Sequence, residues 1–209
     1  MSSCLFSIQE EELSLLPERA IYWAKQRILI VSDVHLGKAG HFRKHGIPIS
    51  RNVHIDDLRI LSSLIATNQP QQVILLGDLF HSAKNNEWKD FLHFLSVHDH
   101  VQFTLIEGNH DILTEYPTEL RCLPKLIIEP FSFTHIQEED DYYNLSGHLH
   151  PGVMIRGKAR QGLVVPCYLF GSQNGILPAF GQFTGVKKVV PKKEDQVFVV
   201  AENNVIALA

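Results

Sequence analysis

Short apolar segments that end in polar clusters are the feature that most constrains the fold of this chain. The segments are rich in β-branched residues, a composition typical of buried strands. Those predicted as strands lie at 27–32, 72–77, 101–107, 126–129, 131–135 and 143–147.

Two amphipathic patterns separate the first three segments and predict helices at 52–66 and 87–97. The final third lacks a helical pattern, and its apolar segments at 163–170, 186–190, 196–201 and 205–208 predict further strands. Strand–helix units followed by strands predict an α/β fold with two packed sheets and helices on the outside. The apolar residues at 13–16 and 20–23 fit either a hairpin or a broken helix.

The chain has 209 residues and neither repeats nor a flexible linker, which predicts a single domain over 1–209. No apolar run is long enough to predict a membrane span. The first residues do not resemble a secretory signal, so we interpret them as mature sequence. Cys4, Cys122 and Cys167 are odd in number and far apart, which favours a reducing compartment. Together these features predict a cytoplasmic protein.

The net charge of −4 argues against a generally basic nucleic-acid binder, but the charges are unevenly distributed. Residues 151–193 contain seven basic residues and no acidic one, and residues 19–51 contain seven basic residues with Asp33 as the sole carboxylate. Such stretches could form one positive face for phosphates, or they could be scattered solvated side chains. Composition leaves both interpretations open.

Polar residues able to bind metals follow five of the predicted strands. They are Asp33 and His35, then Asp78, then Asn109, His110 and Asp111, then His135, and finally His148 and His150. In open α/β sheets ligands bind at the carboxyl ends of the strands, so these five positions are expected to converge. Carboxylate, amide and imidazole groups without a thiolate suit Mn²⁺, Fe or Zn²⁺.

Spacing within the clusters supports a shared site. Asp33 and His35 are two residues apart, so on an extended strand end their side chains lie on the same side, and His148 and His150 repeat this spacing. A lone Asp-x-His or Gly-Asp is ordinary turn or surface chemistry. All five clusters in this order, each behind a strand, are hard to attribute to chance.

The series Asp33-x-His35, Gly77-Asp78, Gly108-Asn109-His110-Asp111, His135 and Gly147-His148-x-His150 resembles the motifs of the calcineurin-like metallophosphoesterase superfamily. The resemblance implies a four-layer α/β/β/α sandwich and a site for two divalent metal ions. It further implies that Asp33, His35 and His150 hold one ion, that Asn109, His135 and His148 hold the other, and that Asp78 bridges them. His110 would be the catalytic histidine. Many members have Asp where this chain has His81, which leaves the support of Asp78 open.

Longer stretches at 33–50, 77–89, 166–171 and 177–186 resemble the bacterial subfamily associated with DNA ligase and helicase repair genes, described as DNA phosphodiesterases or endonucleases. This second resemblance runs through nearly the whole chain. It implies DNA as the substrate, which we predict to be single-stranded, a role in DNA repair, and ligase or helicase partners. Mn²⁺ is the ion that we expect, with Fe or Zn²⁺ as alternatives.

Two such cations would lower the pKa of bound water, so that a hydroxide held between them could attack the phosphorus. His110 is predicted to act as the general acid toward the leaving oxygen. Asp111 would orient the His110 ring or, alternatively, cap a helix. Basic side chains that follow the first and last motifs are predicted to bind substrate phosphates, namely Arg43, Lys44, Arg156, Lys158 and Arg160.

Two other functions stay open at this point. A phosphoesterase for a nucleotide or a lipid-linked pyrophosphate would use the same metal motifs, although the lipid-precursor group usually has Arg in place of His110. A non-catalytic scaffold on the same fold would typically have lost metal ligands, whereas all seven are present here.

Overall fold

The computed structural model describes residues 2–36, 53–80, 86–111, 116–157 and 162–208. In these ranges the chain forms two helices, α1 (Val53–Asn68) and α2 (Asn86–Val97), and two β-sheets. Neither of these helices combines the length and the apolar character that crossing a membrane requires. All three cysteines are free thiols.

The first sheet is built in chain order and has seven strands. Its first four strands are joined as antiparallel neighbours, whereas the last four run parallel and α1 and α2 connect three of them. The strands are β1 (Cys4–Ile8), β2 (Glu11–Leu15), β3 (Ala20–Trp23), β4 (Ile28–Val31), β5 (Gln72–Leu76), β6 (Gln102–Ile106) and β7 (Leu120–Leu123). Because β4, β5 and β6 are parallel, their carboxyl ends lie at one edge.

The second sheet has nine strands, ordered β14-β11-β12-β13-β10-β9-β8, with β15 paired to β12 and β16 paired to β15. They are β8 (Leu126–Ile128), β9 (Phe131–Phe133), β10 (Tyr143–Ser146), β11 (Pro151–Arg156), β12 (Gly162–Phe170), β13 (Asn174–Ile176), β14 (Lys187–Lys188), β15 (Gln196–Ala201) and β16 (Asn204–Leu208). Strands β9, β10 and β13 are parallel, so this sheet also brings carboxyl ends to a common edge.

Two apolar layers hold the fold together. Alternation along β4 directs Leu29 and Val31 toward the helices and Ile28 and Ile30 toward the second sheet. The layer between the two sheets includes Trp23, Ile74, Phe131, Phe133, Tyr168 and Phe170. The layer under the helices includes Leu61, Val73, Phe91, Phe94 and Phe103. The predicted α/β sandwich is confirmed, and both helices of the described ranges lie on the first sheet.

Differences from the predicted elements have local reasons. Residues 13–15 lie in β2 and residues 20–23 form β3, which pairs with β2 in antiparallel fashion, so the hairpin interpretation is correct and the broken helix is wrong. Strand β11 was not expected because it begins with Pro151 and Gly152, which usually mark a turn. The strand predicted at 186–190 is reduced to the two residues of β14, and β1, β7 and β13 were also missed.

Tyr168 joins the second sheet to the first by polar bonds as well as by packing. Its side chain is fully buried, and its hydroxyl lies 2.7 Å from Leu16 O and 2.9 Å from Ala20 O, next to the turn between β2 and β3. A phenol hydroxyl has one proton, so it donates to one carbonyl at a time and solvates both.

Replacing Tyr168 by Phe is expected to reduce the free energy of unfolding by about 1–2 kcal/mol, because two buried carbonyls lose their hydroxyl partner. Urea unfolding followed by circular dichroism measures this loss. Tyr142→Phe is the matched control, since the Tyr142 hydroxyl bonds to exposed Glu129 at the surface. An equal effect of the two substitutions would contradict a role for Tyr168 in joining the sheets.

Candidate metal centre

The ends of β4 and β5 continue side by side beyond the first sheet. The N–H of Asp33 donates to Gly77 O at 3.3 Å, and the N–H of His35 donates to Asp78 O at 2.9 Å. An isolated parallel bridge between Leu36 and Phe80 closes this extension. These main-chain bonds place the first two motifs next to each other without using their side chains.

The first cluster of side chains contains Asp33, His35 and His150. Their ligand atoms lie within 4.8 Å of one another, and His150 Nε2 is 3.1 Å from Asp33 Oδ1. Asp33 and His35 are buried, whereas His150 is half-buried at the surface. Residues from both sheets therefore meet in one cluster, since Asp33 follows β4 and His150 precedes β11.

The second cluster contains Asp78, His135 and His148, again within 4.8 Å. Asn109 joins it, because its Oδ1 lies 3.1 Å from His135 Nε2. Asp78 reaches both clusters: its Oδ1 is 3.4 Å from His135 Nε2 and its Oδ2 is 3.7 Å from His35 Nε2. The structure thus brings together all seven predicted ligands, with Asp78 between the two clusters.

The hydrogen bonding of His135 shows that the second cluster fits a cation. Its Nδ1 lies 2.9 Å from Leu76 O, which can only accept, so in the neutral ring Nδ1 carries the proton and Nε2 presents a lone pair. That lone pair faces Asn109 Oδ1 and His148 Nδ1, each 3.1 Å away. Nε2 of His135 and Oδ1 of Asn109 are then two acceptors that face each other and would be stabilised by a cation between them, and a ring whose other N–H donates to a carbonyl is the usual metal ligand.

Burial is the main cause that lowers the pKa of His148, and neighbouring His135 lowers it further. A lowered pKa keeps the imidazole neutral near pH 7, which is the form that binds metals. The electrostatics of this side chain therefore agree with the ligand role predicted for it.

Backbone conformation is unusual at these residues. Asp33, His35, Asp78, His148 and His150 all have positive φ values, between 49° and 64°. Residues other than glycine seldom adopt this region, and clusters of such conformations occur at functional sites where surrounding contacts enforce them. Here part of the enforcement comes from the N–H of His148, which donates to Asp33 Oδ2 at 2.9 Å.

Glycines let the ligand loops approach one another closely. Gly77 has a φ of 76°, and a Cβ added there would lie 2.2 Å from Nδ1 of His135. At Gly147 an added Cβ would lie 2.5 Å from Asp33 Oδ2. A side chain at either position would therefore collide with a ligand residue.

His110 lies at the exposed rim of the two clusters. Its N–H donates to Asp78 Oδ1 at 2.9 Å, and its ring centre is 5.7 Å from that of His35. The His110 ring therefore lies beside the first cluster, and the main chain of His110 is hydrogen-bonded to Asp78, the residue that both clusters share.

Asp111 holds the loop that carries His110. Its carboxylate accepts the N–H of Gly108 at 3.0 Å and the N–H of Phe80 at 3.1 Å. Burial raises the pKa of this carboxyl to about 6, an effect that the hydrogen bonds from main-chain N–H groups only partly offset. The Asp111 carboxylate thus links the loop 108–111 to Phe80, two residues after Asp78. Because His110 lies in this loop, Asp111 helps to position it.

Of the five predicted substrate-binding residues, the structure describes one. Arg156 is exposed at the end of β11. Outside the described residues lie Arg43, Lys44, Lys158, Arg160 and also His81.

One segment, which the metal-binding motifs did not predict, is hydrogen-bonded to several of the ligand loops. We call residues 177–189 the brace. Its main-chain N–H groups donate in turn to the carbonyls of Ser146, Ser32, Asp33 and His150, from Leu177 (2.9 Å), Phe180 (2.8 Å), Gly181 (3.2 Å) and Lys187 (2.9 Å). Because main-chain atoms form these bonds, the residue types of the brace do not predict them. The stretch 177–186 is identified from the sequence only through its resemblance to the bacterial subfamily.

The brace is also hydrogen-bonded to residues outside the ligand loops. The N–H of Gln182 donates to Oδ1 of buried Asp57 on α1 at 3.3 Å, and Arg19 Nη1 donates to Ala179 O at 3.3 Å. The helical layer and the first sheet therefore both fix the position of the brace.

Comparisons with known proteins agree with this geometry. Residues 26–190 match the family model for the calcineurin-like phosphoesterase domain. The crystal structure of Pseudomonas putida nuclease MPE matches with a TM-score of 0.83 and 27% sequence identity, covering 99% of this chain and 100% of that chain. No curated protein matches by sequence.

Two phosphoesterase structures match more weakly. The phosphoesterase YfcE from E. coli has a TM-score of 0.39 and 15% identity, covering 84% of this chain and 88% of its own. A predicted phosphoesterase from Streptococcus pneumoniae has a TM-score of 0.37 and 13% identity, covering 84% and 83%.

Substituting Gly181 by Ala is expected to weaken both the fold and metal binding. The added Cβ would lie 2.4 Å from Val34 O, so the brace or the Asp33 loop must shift, at a cost of about 1–3 kcal/mol. Gly185→Ala is the matched control, because nothing lies within 4 Å of its added Cβ. Urea unfolding and calorimetric titration with Mn²⁺ measure the two effects. Equal behaviour of the two variants would mean that the brace does not hold the Asp33 loop.

Proposed function

This chain belongs to the calcineurin-like phosphoesterase family, and on that premise we propose that it is a two-metal phosphodiesterase that cleaves DNA. The family uses a dinuclear divalent metal centre and hydrolyses phosphoester bonds. One observation carries the proposal: two clusters of oxygen and nitrogen ligands share Asp78 at a single edge of the sandwich.

The residues divide between two ions. Asp33, His35 and His150 would hold one ion; Asn109, His135 and His148 would hold the other, and Asp78 would contact both. When bound, such a pair lowers the pKa of water and offsets charge on the phosphate oxygens. A ligand set of oxygen and nitrogen atoms without a thiolate suits Mn²⁺, Fe or Zn²⁺, and of these we propose Mn²⁺.

His110 is suited to donate a proton to the leaving oxygen. Its side chain is exposed, so a substrate can reach it, and its N–H bond to Asp78 fixes where the ring stands relative to the clusters. Asp111 contributes by holding the loop, since its carboxylate accepts main-chain N–H groups at 3.0 Å and 3.1 Å. We assign His110 as general acid and Asp111 as its positioning residue.

DNA is the proposed substrate for two reasons. The P. putida protein with the same fold over 99% of this chain is a nuclease. The stretch 151–193, which follows the last ligand, contains seven basic residues and no acidic one. Basic side chains of this stretch that face the metal centre would suit a chain of phosphates better than a single small ester.

Removal of metal with a chelator is expected to abolish hydrolysis, and Mn²⁺ is expected to restore it, with about two ions bound per chain. The assay compares single-stranded DNA, duplex DNA, RNA, bis(4-nitrophenyl) phosphate and 4-nitrophenyl phosphate. We expect cleavage of single-stranded DNA and of the small diester. Turnover that survives the chelator would contradict the metal mechanism, and activity confined to the monoester would contradict the diesterase proposal.

Replacing His110 by Ala is expected to lower kcat on DNA by roughly 10²–10⁴-fold, the usual contribution of a general acid. The metal content, measured by mass spectrometry, should stay at the wild-type value, because His110 is assigned no ligand role. His93→Ala serves as the control, since His93 is an exposed histidine on α2. Loss of metal from the His110 variant would show that this residue is a ligand.

A further inference from the structure

Part of the second sheet extends past the metal centre. Strand β12 is antiparallel to both β11 and β13, and β13 is parallel to β10, so β11 runs in the direction of β10. It begins one residue after His150 and is six residues long, so it reaches about 20 Å beyond the ligand edge. Strands β11 and β14 and residues 162–166 of β12 form this extension, which we call the β-wall.

The two faces of the β-wall have different surroundings. Tyr168 and Phe170 of β12 belong to the layer between the two sheets, whereas Val165 and Cys167 pack in a separate apolar cluster on the opposite face. The face that carries Tyr168 looks toward the first sheet, where the metal ligands lie. Alternation therefore defines an inner face of the β-wall, which continues over the metal centre, and an outer face.

Register assigns the neighbouring residues to these faces. On β11, Gly152 pairs with Pro166 and Arg156 pairs with Gly162, which places both on the inner face. Val186 lies there as well, because a Cβ added to Gly152 would be 2.2 Å from Val186 Cγ1. Val153, by contrast, packs on the outer face with Val165.

The two lysines of β14 consequently point to opposite faces. Lys188 pairs with Gly152 and is two residues from Val186, so it lies on the inner face. Lys187 pairs with Pro151, and Val189, two residues on, packs against the outer cluster. Both lysines are exposed.

Nothing described in the structure neutralises Lys188. Within the described ranges it forms no ion pair, whereas Lys125 lies 2.6 Å from Asp140 and Lys25 is bound by Glu11. The sequence from 151 to 193 offers no carboxylate. Its strand is tied to the metal centre, since the N–H of adjacent Lys187 donates to His150 O at 2.9 Å.

We propose that Lys188 binds a backbone phosphate of the nucleic-acid strand next to the scissile bond, and so favours polynucleotides over small diesters. This inference rests on the proposed nuclease function. An ammonium group binds phosphate as a compact charge, and Lys188 stands on the inner face together with Arg156. Lys187, one residue away with the same charge, faces away from the bound strand.

The test compares Lys188→Ala with Lys187→Ala in the Mn²⁺-loaded enzyme. The probes are a single-stranded oligonucleotide and bis(4-nitrophenyl) phosphate. For Lys188→Ala the ratio of kcat/KM on DNA to kcat/KM on the small diester is expected to fall about tenfold, as for loss of one charged hydrogen bond. The slope of log affinity for DNA against log salt should become shallower by about 0.7–0.9. Lys187→Ala should change the ratio by less than about twofold, and Lys188→Arg should restore most of it.

Equal ratios for the two alanine variants, or an equal loss on both substrates for Lys188→Ala, would overturn the assignment of Lys188 while leaving the nuclease function intact. A wild-type enzyme that hydrolyses the small diester but no polynucleotide would instead overturn the proposed function, and the role of Lys188 with it.

Discussion

Mutual repulsion among electron-rich side chains is the constraint that the structure has to satisfy. Seven carboxylate, amide and imidazole groups meet at one edge, and several of their oxygen and nitrogen atoms lie between 3.1 Å and 3.7 Å apart, close enough for lone pairs to repel where no proton lies between them. Bound cations would offset that repulsion, but the chain must hold the groups in place before any cation arrives. Main-chain hydrogen bonds and the apolar layers on both sides of the first sheet provide this support.

The strain in the ligand loops follows from the same constraint. Five ligands have left-handed backbone conformations, which cost free energy and persist only where neighbouring contacts fix them. The bond from the N–H of His148 to Asp33 ties a loop of the second sheet to a loop of the first. Asp33 and Asp78 also sit on adjoining extensions of β4 and β5, so main-chain hydrogen bonds link these two loops as well.

Sequence patterns predicted the elements whose residue types match their environment, such as buried apolar strands. Strand β4 is apolar throughout, β5 is apolar after Gln72, and ligand residues follow both strands within two positions, so both strands and clusters could be located from residue types. Sequence patterns did not predict β11, whose Pro151 and Gly152 form a strand only because β12 and β14 pair with it. The brace left no chemical signal, since it acts through main-chain groups that every residue except proline carries.

The brace uses different atoms for two roles. Its main chain holds the ligand loops, whereas some of its exposed side chains are free to contact the substrate. Its bonds to Ser32, Asp33 and His150 use main-chain atoms, so most of its side chains can be exchanged without altering those bonds. Lys187 and Lys188 show how this works, because one strand presents one side chain to each face while its main chain keeps His150 in register. Relatives of this enzyme could therefore diverge in their preferred polymer through substitutions at the brace while retaining an identical reaction centre.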